Sequence, residues 1–186
     1  MEIAIIGWGS LIWSPGELQL ATRWHPDGPV LPIEFARISK DGRLTLVIHP
    51  SAEGVRTYWA RSALSSIEAA REDLRRRENT GLSQIHLITV DNNAVAPEAE
   101  AAATIRSWLN TRSNLGAAVW TGLGCNWEAK RGRPFSVGDA IDYIANLQNE
   151  RNEDGRFERA REYIEKAPTQ IQTRLRAMLR NVYDPT

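Results

Sequence analysis

The chain has one cysteine, no net charge and no long apolar run, and each absence excludes a class of protein. Cys125 is the single cysteine among 186 residues, so no internal disulfide can form. The 23 basic residues balance 23 acidic ones, and the broad positive field that binds nucleic acid or an anionic membrane is missing. No apolar stretch approaches the roughly 20 residues of a membrane span. We therefore expect a small-molecule partner, with neither nucleic acid nor membrane.

The N-terminus and the length favour a single cytoplasmic domain. Met1-Glu2 lacks the basic and long apolar pattern of a secretory signal, which predicts a cytoplasmic location. A chain of 186 residues is long enough to bury a sizeable core without disulfides or metals. We expect one domain, 1–186, and the sequence leaves its oligomeric state open.

Hydrophobic patterns and turn residues predict strands and helices in the first two thirds and helices alone in the last third. Strands are expected at 2–6, 30–39, 43–50, 55–63, 83–91 and 115–124. Helices are expected at 65–79, 97–110, 136–148, 155–168 and 169–183. Asp41-Gly42 predicts a hairpin between the second and third strands. The expected helix starts are Ser65, Pro97, Ser136 and Thr169.

The stretch Gly7-Trp8-Gly9-Ser10 follows the first predicted strand and is the first candidate for chemistry. Two glycines there resemble half of a dinucleotide fingerprint, but the third glycine is missing, so we reject that interpretation. No Gly-x-Ser-x-Gly motif supports Ser10 as a nucleophile. Two interpretations are left open: a tight turn that only glycine permits, or a loop that brings backbone N–H groups close to a ligand.

Other polar residues give weaker signals. The three histidines lie far apart, and none has a carboxylate or thiol at metal-ligand spacing, so no metal site is predicted. The run Arg75-Arg76-Arg77 is typical of the solvated end of a helix, where positive charge suits the helix dipole. Glu78 follows this run, at the predicted helix end, where a carboxylate is mildly disfavoured.

Two motifs together resemble the gamma-glutamylcyclotransferase-like family, and most closely its ChaC-type members. The first comprises Gly9, Ser10, Leu11, Ile12, Trp13 and Pro15, which match a Tyr-Gly-Ser-Leu motif followed by Ile or Met, Trp and Pro. The second is the run 74–78, a leucine followed after three arginines by Glu78. Trp8 stands where the family has tyrosine, and the second motif is one residue longer and lacks the family's aspartate. The resemblance covers roughly residues 3–91.

The resemblance implies a fold, a reaction and a site. The implied fold is α+β: a small mixed β-barrel with surrounding helices over about 1–125. The resemblance does not explain the helices over about 136–186, which we expect to form a C-terminal extension packed on the barrel. The implied reaction is the cyclisation of a γ-glutamyl amine or peptide to 5-oxoproline with release of the amine, as in glutathione metabolism. Glu78 would be the catalytic acid/base, in a cavity that it shares with the glycine loop. No metal or organic cofactor is implied.

The same resemblance assigns the substrate-binding residues. The implied binding loop consists of Gly7, Trp8, Gly9, Ser10 and Leu11, whose backbone N–H groups would hold the γ-glutamyl group. Arg37 is a further candidate, for a bidentate contact with a substrate carboxylate, although a surface arginine is its plainer interpretation.

Two alternatives to the enzyme remain open from sequence. The same cavity could serve a non-catalytic module that binds a small ligand or a peptide, which the replacement of tyrosine by Trp8 favours, since an indole N–H donates but cannot accept. A weaker alternative assigns protein or nucleic-acid binding to the C-terminal helices and the arginine-rich loop. The sequence does not identify the leaving group or say whether glutathione is accepted.

Overall fold

The computed structural model describes residues 1–91, 94–96, 99–149 and 155–183. In these ranges the strands are β1 Glu2–Gly7, β2 Val30–Ile38, β3 Leu44–Ile48, β4 Gly54–Arg56, β5 Tyr58–Arg61, β6 Ile85–Thr89, β7 Ala94–Val95 and β8 Leu115–Thr121. The helices are α1 Ile67–Glu78, α2 Ala99–Leu109, α3 Trp127–Arg131, α4 Val137–Asn149, α5 Arg156–Lys166 and α6 Arg174–Tyr183, with a 3-10 helix at Leu82–Gln84. The predicted mixed α+β fold is confirmed.

The chain divides into two compact units that alternate along the sequence. The first comprises Met1–Leu31 and Arg56–Leu123, and the second comprises Pro32–Val55 and Gly124–Thr186. The first unit contains a five-stranded sheet with α1 and α2, while the second contains most of a three-stranded sheet with α3 to α6. The sequence did not predict that the C-terminal helices would group with the β2–β3 hairpin. The single domain stays a prediction.

The first unit is built around β1. In strand order the sheet is β5-β1-β8-β6-β7, with β1 antiparallel to β5 and parallel to β8. Helix α1 packs on this sheet through a group of buried residues, which we name the α1 core cluster. Its members are Ile3, Ile5, Leu11, Leu18, Ala70, Leu74, Ile85, Ala117 and Val119. Because Leu11 and Leu74 share this cluster, the loop after β1 and the body of α1 are fixed by the same apolar packing.

The second unit contains the predicted hairpin. Strands β2 and β3 pair antiparallel, and Gly42 takes a left-handed φ of 83° in the turn between them, which confirms the Asp-Gly signal. The Tyr143 hydroxyl on α4 donates to the Gly42 carbonyl at 2.7 Å. Trp127 on α3 is fully buried and meets Phe135 edge-on. The unit therefore has an aromatic core of its own.

Several predicted boundaries are wrong by a few residues. The hydroxyl of Ser66, rather than Ser65, caps α1 by accepting from the Ala69 N–H. Thr173, rather than Thr169, caps α6, and the helix begins at Arg174. The caps are displaced because both segments offer more than one hydroxyl near the helix start.

Two other helix starts have different outcomes. Ser136 caps α4 as predicted, accepting from the Asp139 N–H at 3.1 Å. Pro97 lies outside the described residues.

The strand predicted at 55–63 is interrupted at Thr57. Its N–H and its hydroxyl both donate to the Pro29 carbonyl, at 3.1 and 2.7 Å. The stretch therefore forms two strands, with β4 in the three-stranded sheet and β5 beside β1.

Two further expectations concern the whole architecture. Among the described strands neither sheet closes on itself, so the mixed barrel is not confirmed. None of the described helices is both long enough and apolar enough to cross a membrane.

Candidate functional site

The loop after β1 folds as consecutive turns. The Ile12 N–H donates to the Gly9 carbonyl at 3.0 Å, and the Ser14 N–H donates to the Ser10 carbonyl at 2.8 Å. Gly7 and Gly9 are not among the described glycines with positive φ, so left-handed backbone is not the reason for them. At Gly7 the reason is space, since a Cβ would lie 3.0 Å from the Trp24 ring.

Three consecutive backbone N–H groups in this loop are free. Within the described residues, no protein group accepts a hydrogen bond from the N–H of Gly9, Ser10 or Leu11. Free N–H groups grouped in a turn form an anion-binding concavity and can stabilise a developing oxyanion. The loop therefore has the donors that a substrate carbonyl or carboxylate needs.

Glu78 is the last residue of α1, as predicted, and it is largely buried. Asn79 ends the helix in the left-handed conformation, with φ of 48°. The Glu78 side chain is 15% exposed, and burial raises the pKa of its carboxyl, while the charge and hydrogen bond of Arg77 act in the opposite direction. A carboxyl with a raised pKa can hold and release a proton closer to neutral pH than an exposed glutamate.

Arg77 connects Glu78 to the loop. Its Nη1 lies 2.5 Å from Glu78 Oε1, while its Nη2 donates to Ser10 Oγ at 3.1 Å and to the Ser14 carbonyl at 2.6 Å. One guanidinium thus contacts both of the motifs that carry the family resemblance. The side chain is 13% exposed, so the predicted solvated helix end is wrong for Arg77.

The sequence contained a signal for Arg77 that was missed. Arg75 forms an ion pair with Glu72, and Arg76 forms one with Asp73. Only Arg77 and Glu78 lie three and four residues after the buried Leu74, on its face of the helix. Helical spacing therefore places Arg77, unlike Arg75 and Arg76, on the buried face of the helix.

A cleft of about 550 Å³ borders Arg77 in the first unit. Its lining residues are Ser14, Gly16, Glu17, Gln19, Asp73, Arg76 and Arg77. Asp73 is buried, and its carboxylate accepts from the Gln19 N–H at 2.8 Å. Neither Gly9 nor Glu78 lines this cleft, so the cavity expected between the loop and Glu78 stays a prediction.

The remaining predicted site residues differ in their surroundings. Trp8 and Leu11 are each 6% exposed, and Leu11 belongs to the α1 core cluster, so its side chain serves packing. Arg37 lies on β2 in the second unit, where Nη1 donates to the Gly124 carbonyl at 2.7 Å. The binding roles of Trp8, Leu11 and Arg37 stay predictions. Among the described residues, no group of three or more His, Cys, Asp or Glu side chains could hold a metal ion.

The geometry combines a largely buried carboxyl of raised pKa with a loop that has free backbone donors, and Arg77 contacts both. Comparison of the chain with protein-family models, with curated proteins and with solved structures found no match. The family resemblance therefore rests on the two sequence motifs alone.

The raised pKa of Glu78 predicts how stability depends on pH. Native Glu78 holds its proton to higher pH than the unfolded chain, where the carboxyl titrates near its ordinary value of 4.5. Its contribution to stability is therefore full below that pH and is lost as pH rises through the native pKa. We expect the free energy of unfolding of Glu78→Gln to rise relative to that of the native protein between pH 4.5 and neutrality.

Denaturant titrations of both proteins, repeated at pH steps across this range, measure the difference. Parallel curves, or a variant that loses stability relative to the native protein as pH rises, would contradict the raised pKa.

Proposed function

We propose that the chain is a gamma-glutamylcyclotransferase-like enzyme that converts a γ-glutamyl amine or peptide to 5-oxoproline and releases the amine. The observation that supports this most is the contact of Arg77 with both Ser10 and Glu78. This contact ties a carboxyl of raised pKa to a loop with three free N–H groups. An intramolecular acyl transfer needs these two components, a proton carrier and an oxyanion site.

The first step forms the ring bond. Glu78, as the carboxylate, removes a proton from the substrate α-ammonium, because an ammonium nitrogen has no lone pair for attack. The free amine attacks the γ-carbonyl carbon of the same molecule, and the carbonyl oxygen takes up negative charge. The N–H groups of Gly9, Ser10 and Leu11 are the proposed donors to that oxygen. Since the nucleophile belongs to the substrate, correct folding of the substrate supplies much of the rate acceleration.

The second step breaks the bond to the leaving amine. The protonated Glu78 donates its proton to the leaving nitrogen while the carbonyl re-forms and the carbon–nitrogen bond breaks. As the lactam forms, the ring nitrogen also loses its second proton, which the released amine takes up. The products are therefore 5-oxoproline and the amine in its ammonium form, and Glu78 returns to the carboxylate. One carboxyl serves as base and then as acid, which a raised pKa favours. Arg77 stabilises the charged form of Glu78 between turnovers.

The proposal extends to the finer fold and to the remaining residues. The mixed barrel implied by the family and the pocket shared by the loop and Glu78 are both parts of it. Trp8 takes the place of the family tyrosine, and its indole can donate a hydrogen bond but cannot accept one.

A non-catalytic module that binds a small ligand is the second candidate, and two observations favour it. Trp8 lacks the phenolic O–H of the family residue, and Glu78 is held in an ion pair with Arg77. An ion pair lowers the basicity of a carboxylate. On this hypothesis the loop binds a γ-glutamyl compound and releases it unchanged.

The reaction itself tests the proposal. We expect 5-oxoproline to form when the purified protein is incubated with a panel of γ-glutamyl amines, γ-glutamyl amino acids and glutathione, in an amount equal to the amine released. The matched control is each substrate with an acetylated α-amine, which cannot attack, and it should give no product.

The outcomes separate the two candidates. Binding of panel compounds without product supports the ligand-binding module. If the protein neither binds the panel compounds nor forms product, the γ-glutamyl substrate class is overturned.

A further inference from the structure

Helices α4, α5 and α6 of the second unit line a groove that the proposed reaction does not use. Its volume is about 540 Å³, which lies in the range of sites for small molecules. The floor is apolar: Ile144, Ile164 and Leu179 are buried, and Phe157 is half-buried beside them. Such a floor suits a hydrocarbon chain, because burying it removes apolar surface from water.

A buried arginine, Arg176, also lines this groove. Arg176 is 6% exposed, and its Nη1 donates to the carbonyls of Pro168 and Ile171 at 2.7 and 3.2 Å. Burial and the neighbouring charge of Arg180 both lower the pKa of Arg176. Among the residues that the structure describes, no carboxylate forms an ion pair with Arg176 or Arg180. A buried guanidinium is ordinarily paired with an opposite charge.

The other charged side chains that line the groove do not neutralise the positive charges of Arg176 and Arg180. Glu165 forms an ion pair with Arg161 at 3.3 Å, on the same helix. Arg180 Nη1 donates to the neutral amide oxygen of Gln172 at 3.2 Å. The groove thus combines an apolar floor with an excess of positive charge from Arg176 and Arg180.

We propose that this groove binds an organic anion with a hydrocarbon chain, namely a free straight-chain carboxylate. The carboxylate would accept charge-assisted hydrogen bonds from Arg180 and Arg176. The chain would lie over Ile144, Phe157, Ile164 and Leu179. Both halves of the ligand contribute, because a ligand that lacks the charge or the chain would lose the contacts with the arginines or with the apolar floor and bind more weakly. This proposal is independent of the cyclotransferase reaction.

Calorimetric titration with matched ligands tests the chemical class. Octanoate should bind, and octanol, which has the same chain without the charge, should bind at least about tenfold more weakly. Octylammonium, of opposite charge, and acetate, without the chain, should give no saturable binding. Equal binding of octanol and octanoate would overturn the role of the arginines. Absence of octanoate binding, or a signal only at concentrations where octanoate forms micelles, would overturn the site.

Two variants on one helix test the location. Arg180→Gln removes an exposed charge and should weaken octanoate binding by about tenfold or more, since a charge-assisted contact is lost. Arg174→Gln removes the same charge from α6 at an exposed position that does not line the groove, and it should bind octanoate like the native protein. Arg176 is left unchanged, because its hydrogen bonds to Pro168 and Ile171 support the local fold. Equal affinities in the two variants would overturn the location.

Discussion

Replacing Glu78 with glutamine is expected to lower kcat for 5-oxoproline formation by about 10²–10⁴-fold, the usual contribution of a positioned acid/base. Glutamine keeps the length of the side chain and one acceptor for Arg77, but it cannot take a proton from the α-ammonium or return it to the leaving nitrogen. The free N–H groups of the loop are unaffected. Affinity for the substrate should therefore change much less than kcat.

The matched control for this prediction is Glu72→Gln on the same helix. Glu72 is exposed and pairs with Arg75, so its removal should leave kcat within about twofold of the native value. Initial rates give kcat, and calorimetry with an α-N-acetylated γ-glutamyl ligand gives affinity without turnover. A Glu78→Gln protein with native kcat would remove Glu78 from the chemistry. Equal losses in both variants would indicate a change in helix stability instead.

Replacing Leu74 with alanine is expected to lower the free energy of unfolding by about 2–5 kcal/mol, as for other buried leucines. Leu74 is fully buried, and the α1 core cluster joins it to Ile5 on β1 and to Leu11 in the loop. Truncation leaves a cavity between the helix that ends in Glu78 and the loop that contains Ser10. The substitution should therefore also reduce the activity of the folded protein, by loosening both parts of the site.

Leu74→Met is the control, because it nearly conserves volume and should cost less than about 1.5 kcal/mol. Denaturant unfolding, followed by circular dichroism and by tryptophan fluorescence, gives the free energy for each variant. An alanine variant as stable as the methionine variant would mean that α1 is not held by this cluster.

The elements that sequence predicted well are those with local causes. Helix α1 follows from the helical spacing of Ala70 and Leu74, and the β2–β3 hairpin follows from a glycine that can adopt positive φ. The place of Glu78 at a helix end likewise followed from a short run of sequence. Such features depend on interactions over a few residues, so the local sequence contains the necessary information.

The features that sequence missed depend on contacts between distant segments. Thr57 interrupts a strand pattern because its polar groups bond to the Pro29 carbonyl, 28 residues earlier. Arg77 contacts Ser10 across 67 residues, and no local pattern marks that contact. The division into two units likewise depends on which strands pair, which a pattern of alternating residues does not specify.

The position of β1 has a consequence for how the protein is made. Strand β1 lies between β5 and β8, and its parallel partner β8 begins only at Leu115. During synthesis, the edge of β1 that pairs with β8 stays uncovered until the segment that connects the two strands has been made. That segment includes 32–55, which belongs to the other unit. Contacts so distant in sequence form slowly, and an open apolar edge invites aggregation. The strand that leads into the proposed site is thus synthesised well before the strand that completes its pairing.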